Sequence, residues 1–105
     1  MKVFKFGGAS LRDASGVENL VSILKELGYD KTIVVVSAMG KTTNALEKIL
    51  DNYFNDSNKI AGELLQLKQY HIEIVRNLFN NNSSKIEETI HKLFEELSGF
   101  LNSNK

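Results

Sequence analysis

Two short apolar stretches and four longer amphipathic ones divide the chain. The short stretches, residues 2–6 and 32–37, are rich in valine, isoleucine and phenylalanine, which favour β-strands. The longer stretches repeat apolar residues every three or four positions, the spacing of one helix face. They predict helices over residues 14–28, 43–54, 59–79 and 84–101. This order of elements predicts an α/β chain.

The first strand, the first helix and the second strand form a βαβ unit. A crossover of this kind joins parallel strands and is right-handed. Asp13 or Ser15 is placed to cap the helix, and Gly28 to end it. Residues 33–36 are a continuous apolar run, typical of a strand covered on both faces. We therefore predict that the two strands are parallel and adjacent.

The last two helices are predicted to form a hairpin. Only a short polar stretch that begins at Asn80 separates them, and a short loop favours antiparallel packing. Ser84 and Glu87 have the spacing of a capping box at the start of the last helix. Residues 1–54 thus comprise two β-α units, and residues 55–105 the helical hairpin.

Composition excludes several classes of protein. Thirteen basic and thirteen acidic residues give a net charge of zero, so charge provides no argument for nucleic-acid or membrane partners. Cysteine is absent, and neither His71 nor His91 has a partner at metal-ligand spacing, so we expect no metal site within the chain. No apolar run has the length of a membrane span or follows the pattern of a signal peptide. We expect a cytoplasmic protein.

Candidate chemistry begins where the first strand ends. Lys5 lies beside Gly7 and Gly8, and the small residues Ala9 and Ser10 lead towards the first helix. Adjacent glycines allow positive φ and close approach of a ligand, while a helix N-terminus and a lysine both favour an anion such as phosphate. An ordinary strand-to-helix turn with a surface lysine is the alternative.

A second turn of the same kind follows the second strand. Ser37 ends the apolar run, and Thr43 lies at the start of the next helix. The carboxyl ends of parallel strands share one sheet edge, so the two turns are expected to lie side by side. Helix capping and turn hydrogen bonds are the alternative roles of these hydroxyls. Gly40-Lys41-Thr42 ends like a P-loop, but Val35 occupies a position where that motif requires glycine.

These two turns resemble the signatures of the aspartate kinases, within the amino-acid kinase superfamily. Residues 5–10, KFGGAS, are similar to the KFGG(T/S)S opening of that family, and residues 35–44, VVSAMGKTTN, to its second signature. The resemblance is strong over about residues 1–55 and general beyond them. Ala9 departs from the pattern, because the family usually has a hydroxyl residue there.

The resemblance implies transfer of the γ-phosphoryl of ATP to the side-chain carboxylate of L-aspartate, the first step of lysine, threonine and methionine biosynthesis. Lys5 matches the lysine that steadies the transferring phosphoryl, as the catalytic and ATP-contacting residue. Gly7, Gly8 and Ser10 match the turn that faces the phosphates of ATP. Ser37 and Thr43 match residues on the amino-acid side of the site.

The implied fold is the N-terminal part of a three-layer α/β/α amino-acid kinase domain. In this family the remaining aspartate-binding and adenine-binding groups come later, so residues 1–105 are expected to be a partial, inactive catalytic domain that binds neither ATP nor Mg²⁺ tightly. The whole protein is expected to be a homo-oligomer. Two alternatives stay open: a glutamate or uridylate kinase of the same superfamily, and a non-catalytic interaction module.

Overall fold

The structure, a computed structural model, describes residues 1–80 and 82–103. Two compact units divide the chain, Met1–Thr42 and Thr43–Lys105. The elements in chain order are strand β1 (Lys2–Phe6), a 3-10 turn (Gly8–Leu11), helix α1 (Ala14–Leu27), strand β2 (Thr32–Val36), helix α2 (Thr42–Asn55), a second 3-10 turn (Ser57–Lys59), helix α3 (Ile60–Phe79) and helix α4 (Ser84–Ser103). The predicted elements are confirmed to within about two residues at each end.

The two strands of the first unit pair in parallel, as predicted. The register runs from Lys2 opposite Thr32 to Phe6 opposite Val36. The pairing continues at the carboxyl end, where the Ser37 N–H donates to the Phe6 carbonyl at 3.0 Å. The α/β character and the parallel arrangement are therefore confirmed, and both strands end at the same edge of the sheet.

The faces of this sheet are covered unequally. Phe4 and Phe6 are half-buried, whereas Val3 exposes 63% of its surface. Residues 33–36 of β2 each expose between 38% and 55%. The apolar run of β2 is typical of a strand covered on both faces, and the exposure seen here is the one expected if residues 1–105 are only part of a larger domain. The described residues supply β2 with one neighbouring strand, so much of its apolar surface meets solvent.

Helix α1 begins and ends at the predicted signals. Asp13 has an extended backbone, and its carboxylate accepts the Gly16 N–H at 2.8 Å, which satisfies one amide of the first turn. Gly28 follows the helix with φ of 82°, a conformation that favours glycine. The Lys2 ammonium donates to the Leu27 carbonyl at 3.3 Å, so a cation lies at the negative end of the helix dipole.

The second unit consists of α2, α3 and α4 around one apolar core. Four buried side chains form its centre: Ile49, Ile60, Leu64 and Leu67. Partly buried side chains from all three helices pack on them: Ala45, Tyr53, Tyr70, Phe94, Leu97 and Leu101. Residues near the start of α3 thus meet residues near the end of α4, which confirms the antiparallel hairpin. Helix α2 belongs to this unit, because the division of the chain follows Thr42.

A polar cluster holds the hairpin at its turn. Nε and Nη2 of Arg76, on α3, donate to one carboxylate oxygen of Glu87 on α4, at 3.0 and 2.8 Å. Ser83 is only 1% exposed, and its hydroxyl donates to the other carboxylate oxygen of Glu87 at 2.6 Å. The predicted pairing of Ser84 with Glu87 is therefore wrong by one residue, because α4 itself begins at Ser84. Asn80 ends α3 in the left-handed conformation, and Asn81 lies outside the described residues.

This cluster predicts a loss of stability in acid. Hydrogen bonds from Arg76 and then Ser83 hold the pKa of Glu87 below its ordinary value of 4.5. The carboxyl of Glu87 therefore binds a proton less readily in the folded chain than in the unfolded chain. Its contribution to the free energy of unfolding is present above the unfolded pKa of 4.5 and is lost as the pH falls through the folded pKa. Urea titrations between pH 3 and pH 6 (roughly the range in which carboxyls titrate) measure it.

Glu87→Gln is expected to flatten this pH dependence. Glu88→Gln is the matched control, because Glu88 is exposed and lies 3.9 Å from the Lys92 ammonium on the same helix. Equal pH profiles for Glu87→Gln and the unmodified chain would contradict the assignment.

The exposed apolar residues predict that the 105-residue chain self-associates. Val36 exposes 55% of its surface in the first unit, and Phe100 exposes 63% in the second. Apolar surface of this kind favours association, and β1 and β2 both lie at sheet edges. Sedimentation at micromolar concentration measures the mass. Val36→Lys and Phe100→Lys, one in each unit, distinguish the sheet from the hairpin as the contact, and a monomer of the unmodified chain would contradict the prediction.

No helix among residues 1–80 and 82–103 combines the length and the apolar character that crossing a membrane requires.

Candidate functional site

The first turn of the candidate site leaves β1 in an extended conformation. Gly7 has φ of −81° and ψ of 173°, and the 3-10 turn that follows is closed by a hydrogen bond from the Ser10 N–H to the Gly7 carbonyl at 3.1 Å. Neither Gly7 nor Gly8 uses the positive φ that glycine allows, so close approach of other groups is the property of these glycines that the turn can use. Gly7 and Ser10 are exposed, and Gly8 is half-buried.

Gly8 is required by space. A Cβ at this position would lie 2.7 Å from the Gly40 carbonyl oxygen and 3.0 Å from that of Ala38. The Gly40 N–H also donates to the Gly8 carbonyl at 3.0 Å. The two turns therefore touch through their backbones at one edge of the sheet, as the shared strand direction predicts.

The N-terminus of α1 is set back from the end of β1. The 3-10 turn separates it from β1, and the Asp13 carboxylate already occupies its first turn. Gly16 brings α1 against the first turn, because a Cβ there would lie 2.3 Å from the Ser10 carbonyl oxygen. The glycine turn and Lys5 are therefore the features at the end of β1 that favour an anion.

Lys5 is the next-to-last residue of β1 and pairs with Val35. Its side chain is exposed, and no carboxylate among residues 1–80 and 82–103 forms an ion pair with it. The ammonium is therefore available to a ligand at the carboxyl end of the sheet, two residues before Gly7.

The second turn is closed by Thr42. Its hydroxyl donates to the Met39 carbonyl at 2.5 Å and its N–H to the same oxygen at 3.1 Å, and the residue is 8% exposed. Gly40 precedes it with φ of 54°. Ser37 is exposed at the end of β2. Hydrogen bonding within the turn therefore belongs to Thr42, which sequence reasoning did not select.

Thr43 is exposed in the first turn of α2 and begins the second unit. The other five candidate residues, Lys5, Gly7, Gly8, Ser10 and Ser37, all belong to the first unit. Their assignment to a ligand stays a prediction.

Comparison with known proteins identifies the family. The sequence model of the amino acid kinase family matches residues 1–86, most of the chain. The chain belongs to the amino acid kinase family. The βαβ unit and its two glycine turns lie wholly within residues 1–86, so the family model covers the candidate site.

Three relatives of this family member are aspartokinases. The bifunctional aspartokinase/homoserine dehydrogenase of Buchnera aphidicola is 34% identical over 96% of this chain. Aspartokinase 1 and aspartokinase 2 of Arabidopsis thaliana, both named as chloroplastic, are 33% and 30% identical over 92% of it. These matches confirm the resemblance to aspartate kinases. The chain spans only 13% to 18% of the length of these relatives.

Mg²⁺, which the resemblance implies together with ATP, finds no ligands among the candidate residues. They comprise a lysine, two glycines and three hydroxyl residues, whereas protein sites for Mg²⁺ use carboxylates together with the phosphates of the substrate. Within residues 1–80 and 82–103, no three acidic or histidine side chains lie close enough to hold a metal ion.

Proposed function

We propose that the whole protein is an aspartate kinase, which transfers the γ-phosphoryl of ATP to the side-chain carboxylate of L-aspartate. The observation that carries this proposal is the direct contact of the two glycine turns at the sheet edge where Lys5 lies. The identity to aspartokinases over nearly the whole chain supports the same assignment.

The proposed roles follow from the charge that the reaction moves. Phosphoryl transfer spreads negative charge over the oxygens of the transferring group, and catalysis consists of positioning and charge stabilisation. Lys5 supplies a positive charge that no described carboxylate neutralises. Gly7, Gly8 and Ser10 form an exposed or half-exposed turn beside it, which suits the phosphates of ATP.

The acceptor is proposed to bind at the second turn. Ser37 is exposed at the end of β2, and its backbone is fixed by the hydrogen bond to Phe6. The fixed backbone holds the Ser37 hydroxyl near the end of β2, where it is proposed to bind a polar group of the substrate. Thr43 is proposed to contact the amino acid as well. Thr43 is exposed, whereas the hydroxyl of the adjacent Thr42 already donates to the Met39 carbonyl.

A direct assay separates this function from its alternatives. The whole protein is supplied with ATP and Mg²⁺ and with L-aspartate, L-glutamate or UMP, and release of ADP is coupled to NADH oxidation. Phosphorylation of aspartate alone is expected. Turnover with glutamate or UMP would identify another kinase of the family, and no turnover with any acceptor would favour an interaction module.

The 105-residue chain alone is proposed to lack this activity. Its candidate residues offer contacts for phosphate and for one side of an acceptor, but no carboxylate for Mg²⁺ and no identified site for adenine. Binding of inorganic phosphate at Gly7 and Gly8 remains compatible with this proposal. A place in lysine, threonine and methionine biosynthesis follows from the proposed reaction. A cytoplasmic location stays a prediction, since two of the relatives are named as chloroplast proteins.

A further inference from the structure

We infer that Gly8 is a positioning residue, which sets the distance between the first turn and the second. This inference rests on the proposed function, because the first turn is assigned to the phosphoryl donor and the second to the acceptor. The resemblance implies that Gly8 contacts phosphate. The positioning role is a separate one, because it depends on the contact of Gly8 with the backbone of Gly40 and Ala38.

The contact leaves no room for a side chain. A Cβ added at position 8 would lie 2.7 Å from the Gly40 carbonyl oxygen and 3.0 Å from the Ala38 carbonyl oxygen. Ordinary contacts of a Cβ lie between 3.4 and 4 Å. Both oxygens are backbone atoms, so they move only if the second turn moves. The φ of Gly8 is not positive, and alanine is excluded here by the neighbouring turn alone.

The hydrogen bond across the contact fixes its register. The Gly40 N–H reaches the Gly8 carbonyl at 3.0 Å, and Gly40 presents it with φ of 54°. Ser37 follows the strand that carries this turn. A methyl group at position 8 therefore displaces the acceptor turn by several tenths of an ångström, while alanine keeps the backbone N–H of this position.

Displacement of this kind lowers the rate more than the affinity. The donor and acceptor of phosphoryl transfer must approach closely and in line, and misplacement by about 1 Å costs on the order of 100-fold in rate. ATP binding depends on the first turn, which keeps its own backbone groups in Gly8→Ala. The expected result is therefore a lower kcat with little change in the affinity for ATP.

The first test measures the contact itself. Hydrogen exchange of the Gly40 amide is followed by NMR in the 105-residue chain and in its Gly8→Ala and Gly7→Ala variants. A Cβ at Gly7 meets nothing within 4 Å, so Gly7→Ala adds the same methyl group without a clash. Exchange is expected to accelerate about tenfold or more in Gly8→Ala only, because the opened hydrogen bond no longer protects the amide. Unchanged protection in Gly8→Ala would overturn the inference.

The second test measures the consequence in the whole protein. Gly8→Ala is expected to lower kcat for aspartate phosphorylation by about 10- to 100-fold, with the Kd for ATP, measured by calorimetry, within about twofold of the unmodified value. Gly99→Ala is the activity control, because it makes the same substitution on α4 with nothing within 4 Å. A rise in the Kd for ATP that matches the fall in kcat would overturn the positioning role. If the unmodified protein does not phosphorylate aspartate, the proposed function fails, and the exchange experiment still decides whether Gly8 sets the contact.

Discussion

Replacement of Lys5 by alanine is expected to lower kcat for aspartate phosphorylation by about 100- to 1,000-fold, the usual cost of removing a group that stabilises charge in a transition state. Lys5 is exposed at the edge where the two turns meet, and no described carboxylate neutralises it. Its removal leaves the charge on the transferring phosphoryl without this partner. Steady-state kinetics of the whole protein, with circular dichroism to confirm folding, measure the effect.

Lys2→Ala is the matched control for this prediction. Lys2 lies on the same strand and is also exposed, but its ammonium contacts the Leu27 carbonyl at the other end of the strand. A small change in kcat is expected for Lys2→Ala. Lys5→Arg keeps the charge and is expected to recover part of the activity. Unaltered kinetics in Lys5→Ala would remove Lys5 from the mechanism.

Gly16→Ala is expected to destabilise the chain by about 1–3 kcal/mol, although alanine is the better helix former. Alanine gains at most about 1 kcal/mol over glycine inside a helix, whereas overpacking costs about 1–3 kcal/mol and sometimes more. The new Cβ would lie 2.3 Å from the Ser10 carbonyl oxygen, well below any normal contact, so the steric cost prevails. Urea denaturation monitored by circular dichroism measures the difference.

Gly62→Ala is the control and is expected to stabilise the chain rather than destabilise it. Gly62 is exposed on α3 and a Cβ there meets nothing within 4 Å, so only the helix propensity changes. A gain of up to about 1 kcal/mol is expected. A stabilised Gly16→Ala chain would contradict the contact between α1 and the first turn.

Local pattern was sufficient to predict the elements and their pairing. The βαβ order requires parallel strands, and the observed register confirms it. The capping role of Asp13 also follows from sequence, because the Gly16 amide that it accepts is only three residues away. The side-by-side position of the two turns also follows from the sequence, since the carboxyl ends of neighbouring parallel strands meet at one edge.

The individual contacts within and between the two turns could not be predicted in this way. Sequence alone indicates that Gly8 allows a positive φ or a close approach, whereas the constraint in the structure comes from Gly40 on the other turn. Thr42 rather than Thr43 closes the second turn, and adjacent threonines give no local signal that distinguishes them. The exposure of β2, in contrast, follows from the sequence, because an apolar run written for two neighbouring strands has one neighbour among the described residues.

The register of β1 with β2 has a consequence for the order of folding. Each residue of β1 pairs with one thirty positions later in the chain, so the sheet forms only after a long loop has closed. The hairpin needs far shorter closure, since Arg76 and Glu87 are eleven residues apart. Chains with local contacts fold faster than chains whose contacts are distant, because closing a longer loop costs more entropy. The helical unit is therefore expected to acquire protected amides first in pulse-labelled refolding, and the two turns that carry the proposed chemistry are expected to assemble last.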